Sequence, residues 1–199
     1  VWRVVADRLD GPKPPRIQAE WSYMCGINGF IQRGQSRESL CATATAMATA
    51  LERRGPDGSG AWVDETAGIA LGHRRLSIQD LSPAGHQPME SACGRFVITF
   101  NGEVYNFRPL RAELQAAGHS FRGHSDTEVI LAAIREWGLD KALPRMQGMF
   151  AFGVWDREAR TLTLVRDRVG KRPLYYGWFG DVSLFGPERK ALRHHPAFR

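Results

Sequence analysis

Cys25 is a candidate nucleophile because it directly follows an internal methionine, Met24. If translation began at Met24 and that residue were removed, cysteine would be the N-terminal residue. Its thiol, of pKa about 8.5, would then share a residue with an α-amine of pKa about 7.7–8.0, which can accept the thiol proton near neutral pH. In the chain as written this nitrogen is an amide and cannot act as a base. The alternative is a small buried apolar residue, which describes most free cysteines.

Three further positions could supply the partners of such a nucleophile. Asn101–Gly102 could form an oxyanion hole from a side-chain amide and a backbone N–H, although Asn-Gly is also the strongest signal for a type I′ turn. Arg75 could bind a carboxylate with two parallel hydrogen bonds, or be a surface arginine. Asp126 could pair with an ammonium group, or stabilise the first turn of a helix.

The elements that would position these residues follow from hydrophobic periodicity and capping signals. Residue 36 is a predicted helix N-cap, and that helix should stop at residues 55–56. Ser125 and Glu128 form a predicted capping box for a helix that ends near Gly138. We predict strands at 26–32, 67–70, 95–100, 149–155, 162–166 and 174–178, and a further helix at 109–117. This order favours an α+β domain with antiparallel sheet over alternating βαβ units. The segment 72–89 lacks clear periodicity and is long, which is typical of functional segments.

Composition excludes several classes of protein. The 199 residues are 43% hydrophobic, and no apolar run approaches the roughly 20 residues of a membrane span. The formal charge of +6 permits a nucleic-acid partner, but the arginines are scattered and no recognition motif is present. Three cysteines without a CxxC pair predict neither a disulfide framework nor a zinc site, and the six histidines show no metal-ligand spacing. A reducing compartment, the cytoplasm, is expected.

Eight blocks of sequence resemble the class II glutamine amidotransferase domain of glutamine-hydrolysing asparagine synthetases. They occur in family order at residues 24–27, 54–60, 72–81, 85–89, 100–107, 125–128, 148–152 and 166–176. The segments Arg-Leu-Ser-Ile and Asn-Gly-Glu-Val-Tyr-Asn are similar to the corresponding segments of the asparagine-synthetase branch of that class. The resemblance implies an N-terminal-nucleophile hydrolase fold of four layers, αββα, with two antiparallel sheets between helices.

The resemblance also implies a role for each site residue. Cys25 would attack the glutamine amide, and Asn101 with the Gly102 N–H would hold the oxyanion. Arg75 would bind the α-carboxylate and Asp126 the α-ammonium. The remaining substrate-binding positions are Leu76, Ser77, Ile78, Gln79 and Glu103. No metal or cofactor is expected for this glutaminase, whose substrate is L-glutamine.

Domain boundaries follow from the same comparison. We expect residues 1–24 to be a leader absent from the mature enzyme, residues 25–192 to be the amidotransferase domain, and residues 193–199 to begin a linker. In the family the linker leads to a synthetase domain that uses ATP and Mg²⁺ to amidate aspartate. Its Ser-Gly-Gly-x-Asp-Ser loop has no counterpart here, so we expect that half to be lost or on a partner chain. A homodimer is possible, and neither nucleic acid nor membrane is an expected partner.

Two alternatives remain open from the sequence. The chain could be a truncated, non-catalytic relative that acts as an interaction module, with Cys25 blocked by the leader. It could instead be an amidotransferase for an acceptor other than aspartate.

Overall fold

The computed structural model of the protein describes residues 3–5, 24–78 and 80–199. Gln79, one of the predicted substrate-binding residues, lies outside the described residues. The same is true of most of the expected leader.

The described part of the chain forms ten strands and five α-helices. In chain order they are β1 (Arg3–Val5), β2 (Gly26–Ile31), α1 (Arg37–Thr49), β3 (Gly58–Asp64), β4 (Ile69–Arg75), β5 (Met89–Glu90), β6 (Phe96–Val104), α2 (Phe107–Ala116), α3 (Asp126–Trp137), α4 (Leu139–Ala142), β7 (Gly148–Asp156), β8 (Thr161–Arg166), β9 (Tyr175–Phe179), β10 (Val182–Gly186) and α5 (Arg189–Leu192). Short 3-10 turns lie at Pro83–Gly85 and Leu143–Arg145. No helix among these described residues has the length and apolarity needed to cross a bilayer.

The strands form two five-stranded sheets. One has the order β1-β8-β7-β6-β5 and the other the order β3-β4-β2-β10-β9. Every pairing is antiparallel except that of β1 with β8, which is parallel. The predicted antiparallel sheets are therefore confirmed.

Three apolar clusters define the layers. Between the two sheets lies the inner cluster, which includes Ile27, Leu71, Val97, Trp155 and Phe185. The outer face of the β6–β7 sheet packs on α2 and α3 through Phe100, Leu114, Ile130 and Phe152. The outer face of the β2–β4 sheet packs on α1 through Phe30, Leu40, Met47 and Ala70. Successive side chains of a strand point to opposite faces, so the central strands β2, β4, β6 and β7 each contribute to the inner cluster and to an outer one. The αββα expectation is confirmed.

Some predicted boundaries are wrong, each for a physical reason. The first helix ends at Thr49 rather than near residue 55, because the chain continues in tight turns closed by the N–H groups of Leu51 and Arg54. In these turns the Leu51 side chain is completely buried. The strand predicted at 95–100 continues to Val104, because its partner β7 pairs with it over the full length. Asn101–Gly102 is thus strand and not a hairpin turn.

Candidate active site

Cys25 and Asn101 meet because each continues the inward-facing row of its own sheet. Cys25 lies directly before β2 and has the same parity as Ile27, a member of the inner cluster. Asn101 lies in β6 with the same parity as Val97, which is in that cluster too. Alternation of side chains along a strand therefore places both residues at one end of the space between the sheets.

The Cys25 thiol is held at the end of β4. Its Sγ accepts a hydrogen bond from the backbone N–H of Leu76 at 3.3 Å and lies 3.5 Å from the Leu76 carbonyl oxygen. Burial raises the pKa of Cys25 above its usual value, and the Leu76 N–H and the Arg75 charge oppose that shift. The thiol is therefore mostly protonated at neutral pH, and its use as a nucleophile requires a base.

Arg54 fixes the backbone on either side of this thiol. The Met24 N–H donates to the Arg54 carbonyl at 3.0 Å, and the Arg54 Nε donates to the Cys25 carbonyl at 3.5 Å. The same buried guanidinium forms an ion pair with Glu188, with 2.7 Å between Nη1 and Oε1. Arg54 thus holds the main chain on both sides of Cys25, and its own guanidinium is held by Glu188, the residue before α5.

The Asn101–Gly102 segment offers hydrogen-bond donors to the same space. Asn101 is 1% exposed, and its Nδ2 has no hydrogen-bond partner among the described residues. Gly102 has φ +157°, and a Cβ there would lie 2.2 Å from the Met149 carbonyl oxygen of β7. Only glycine fits at position 102. The unpaired side-chain amide of Asn101 is costly to bury unless a ligand accepts its hydrogen bond.

The Arg75 side chain is held by the segment that follows it. Its Nη1 donates to the Ser82 carbonyl at 3.0 Å, and its Nη2 donates to the Asp80 carbonyl. Gly85 makes room for the guanidinium, since a Cβ there would lie 2.3 Å from Nη2. Asp80 in turn accepts hydrogen bonds from the Ser82 N–H and the His124 N–H, both at 2.8 Å.

Asp126 is the first residue of α3 and is almost fully buried, at 5% exposure. Its Oδ2 accepts a hydrogen bond from the Val104 N–H at 2.9 Å. Burial raises the pKa of Asp126 to about 6, although the backbone N–H groups of Val104, Asp126 and Thr127 oppose the rise. The carboxylate is therefore ionised at neutral pH and becomes protonated in mild acid.

The predicted capping box at the start of α3 forms in one direction. The Ser125 Oγ accepts from the Glu128 N–H at 3.3 Å. The Glu128 carboxylate accepts from the backbone N–H groups of Arg122 and Gly123, at 3.0 and 2.7 Å. It therefore fixes the loop ahead of the helix, next to Asp126.

One cavity of about 550 Å³ brings the predicted site residues together, a size within the usual range for small-molecule sites. Its lining includes Cys25, Arg75, Leu76, Ser77, Ile78, Asn101, Gly102, Glu103 and Asp126. No group of three or more His, Cys, Asp or Glu side chains that could hold a metal ion occurs in the described segments.

Gln87 and Arg172 are among the buried residues that line this cavity and have no role predicted from the sequence. The Gln87 Oε1 accepts from the Phe100 N–H at 2.6 Å, and its Nε2 donates to the Thr127 Oγ1 at 3.3 Å. Gln87 thereby connects the residue before Asn101 to the residue after Asp126. Both residues fall within sequence blocks that resemble the family, and this was the only sequence signal that could have marked them as functional.

Comparison with known proteins shows the family of the chain. Residues 24–199 match the model of the glutamine amidotransferase domain family. The chain is 40% identical over 177 residues to asparagine synthetase [glutamine-hydrolyzing] 3 of Bacillus subtilis, covering 87% of this chain and 28% of that protein. It is 38% identical over 178 residues to amidase chry2 of Gibberella zeae, covering 85% of this chain and 26% of that protein. The chain thus spans about a quarter of the length of these relatives.

A solved structure shows the same fold. Glutamine phosphoribosylpyrophosphate amidotransferase from B. subtilis superposes with a TM-score of 0.73 at 21% identity, over 85% of this chain and 43% of that one. The family match covers most of the chain and therefore decides which family the chain belongs to. This protein belongs to the glutamine amidotransferase family, as a class II domain that is similar to those of glutamine-hydrolysing asparagine synthetases.

Proposed function

We propose that this domain hydrolyses the side-chain amide of L-glutamine, with Cys25 as the nucleophile. The observation that carries the proposal is the composition of a single cavity: a thiol, a buried amide donor without a partner, a guanidinium and a buried carboxylate. An amino acid with a side-chain amide offers a matching group to each of them.

The α-carboxylate and α-ammonium of glutamine orient the substrate. Arg75 binds the carboxylate with the N–H donors that remain beside those given to Asp80 and Ser82. Asp126, ionised at neutral pH, binds the ammonium group. Leu76, Ser77, Ile78 and Glu103 line the walls between these groups.

The chemistry takes place at the other end of the substrate. The α-amine of Cys25 accepts the thiol proton, and Sγ attacks the amide carbon. The Asn101 Nδ2 and the Gly102 N–H stabilise the resulting oxyanion. Its collapse breaks the C–N bond, and the nitrogen leaves as ammonia with the proton returned by the α-amine. Water then hydrolyses the glutamyl thioester, which releases glutamate and restores the thiol.

This mechanism requires a free α-amine on Cys25, so the active form begins at that residue. The 24 preceding residues would be absent from it, as predicted from the sequence. The reaction also requires a free thiol, which a reducing cytoplasm provides.

The ammonia is proposed to serve an ATP- and Mg²⁺-dependent synthetase, as a domain or a partner chain, that amidates aspartate. Support comes from relatives named as glutamine-hydrolysing asparagine synthetases. The relative named as an amidase supports the second candidate, the same glutaminase serving a different acceptor.

The test is to measure glutamate and ammonia released from glutamine by a chain that begins at Cys25. We expect turnover in that chain and none in its Cys25→Ala variant, whose thermal unfolding should match that of the parent. A Cys25→Ser variant serves as the matched control, since it keeps a weaker nucleophile in the same place. Turnover by Cys25→Ala comparable to the parent would refute the assignment. An inactive chain that begins at Cys25 would favour the non-catalytic alternative.

A further inference from the structure

The loop between β8 and β9 presents Arg172 to the catalytic cavity on a rigid support. The Asp167 carboxylate at its base is buried and accepts four backbone N–H groups. Oδ2 accepts from Phe150 and Arg172, both at 3.1 Å, and Oδ1 accepts from Val169 at 3.1 Å and Lys171 at 2.9 Å. The loop is therefore folded around one carboxylate and anchored to β7.

Arg166 holds the same loop from its carbonyl side. Its Nε donates to the Arg172 carbonyl at 2.7 Å, and its Nη2 donates to the Gly170 carbonyl at 2.5 Å. Gly170 adopts φ +63°, a left-handed conformation that glycine tolerates, so the chain can turn there. The main chain of Arg172 is thus fixed through both its N–H and its carbonyl.

The side chain that this loop presents is a buried cation. Arg172 is 7% exposed and lines the cavity, and its Nε has no hydrogen-bond partner among the described residues. Burial lowers the pKa of Arg172, while the nearby Glu103 carboxylate opposes that shift. A guanidinium stays protonated in proteins, and a buried one is costly unless an anion or acceptor satisfies it.

Arg172 is close to the nucleophile's end of the cavity. Its backbone N–H and that of Phe150 donate to the same oxygen of Asp167, and Phe150 is paired in the sheet with Gly102, the residue next to Asn101. On the proposed function, that end receives the γ-group of the substrate. The γ-group is a neutral amide in glutamine and an ionised carboxylate in glutamate.

We propose that Arg172 binds the γ-carboxylate of the product, glutamate, and so makes this domain selective for its product over its substrate at that subsite. The inference rests on the proposed function. Hydrogen bonds to an ionised acceptor are about twice as strong as those to a neutral one, so removal of the guanidinium should weaken glutamate binding more than glutamine binding.

The experiment measures binding without turnover. Isothermal titration calorimetry at pH 7.5 gives the Kd of L-glutamine and of L-glutamate for the chain that begins at residue 25 and carries Cys25→Ala, with and without Arg172→Met. Arg172→Lys retains the charge without the planar donors. Arg168→Met is the matched control, because Arg168 is an exposed arginine of the same loop. Thermal unfolding of every variant shows whether the loop remains folded.

We expect Arg172→Met to raise the glutamate Kd at least about tenfold and the glutamine Kd less than about threefold, with Arg172→Lys between parent and Arg172→Met. Arg168→Met should change neither. Equal losses for both amino acids would assign Arg172 a structural role and overturn this inference while leaving the proposed function in place. If the Cys25→Ala chain bound neither amino acid, the proposed function would fail and this inference with it.

Discussion

The two ends of the cavity are built in different ways. On the proposed function, the reacting end is the one where Cys25 precedes β2 and Asn101–Gly102 lies within β6, so sheet register sets their positions. At the recognition end, the Arg75 guanidinium donates hydrogen bonds to the carbonyl groups of a loop, and Asp126 is the first residue of a helix. Sheet register changes only by disrupting many backbone hydrogen bonds, whereas side-chain contacts to a loop can change one at a time. The reacting end is thus fixed by the sheets, and Arg75 is the adjustable part of the recognition end.

The largest effect should come from the strand-borne oxyanion donor. On the proposed function, Asn101→Ala should lower kcat about 100- to 1000-fold, because one donor contributes about 2.7–4 kcal/mol to the transition state alone. Steady-state kinetics of the chain that begins at Cys25 measure this, with KM nearly unchanged. If KM rose and kcat stayed the same, Asn101 would belong to the recognition end, and the division between the two ends would be wrong.

Arg75 should show the opposite pattern. Arg75→Gln should raise the KM for glutamine about 10- to 100-fold with a smaller effect on kcat, because a charge-assisted contact to the α-carboxylate contributes about 1.5–3 kcal/mol. A comparison of glutamine with its α-carboxamide, glutaminamide, isolates the contact. The variant should discriminate between the two less than the parent does, and unchanged discrimination would place the carboxylate elsewhere.

The smallest of these effects is a pH dependence at Asp126. Its pKa of about 6 means that the carboxylate loses its charge as the pH falls, so glutamine binding should weaken about tenfold for each unit below pH 6. Calorimetric titration of the Cys25→Ala chain between pH 5 and 8 would show it. Asp126→Asn should bind weakly at every pH, and a binding profile that is flat for the parent would contradict the assignment.

The same group should affect folding in the opposite direction. Because the folded pKa lies above the ordinary value of 3.8, the folded state binds more protons than the unfolded state between about pH 4 and 6. The contribution of Asp126 to the free energy of unfolding therefore rises as the pH falls through that range. Acid should thus weaken the ligand site while it relieves the cost of a buried charge. Urea unfolding of the parent and of Asp126→Asn would separate this contribution from those of other carboxyl groups.

The layered fold was predictable from the sequence, but several local features were not. Resemblance to the family gave the αββα arrangement and named residues that the structure brings to one cavity; their catalytic roles stay predictions. Asn-Gly is a hairpin signal that the helix predicted soon after it argues against, but the predicted strand stops at residue 100, and pairing with β7 continues it through Asn101–Gly102. That pairing joins residues far apart in sequence, which local propensity does not register.

Other features escaped prediction because their sequence signal is weak or distributed. Strand β3 is glycine-rich and mostly exposed or half-buried, so it lacks the apolar alternation of a typical strand. The place of Arg172 depends on the Asp167 carboxylate and the Arg166 guanidinium folding one loop together. No single residue type in the sequence predicts a loop that is held in this way.

Gln87 has a consequence for substrate length. Its amide accepts a hydrogen bond from the N–H of Phe100, directly before Asn101, and donates one to the hydroxyl of Thr127, directly after Asp126, so one side chain bridges the two positions. On the proposed function, this hydrogen-bonded bridge sets the distance between the oxyanion donor and the ammonium acceptor. On the proposed function, a substrate whose amide and ammonium groups are one methylene closer, as in asparagine, would engage one of the two groups but not both.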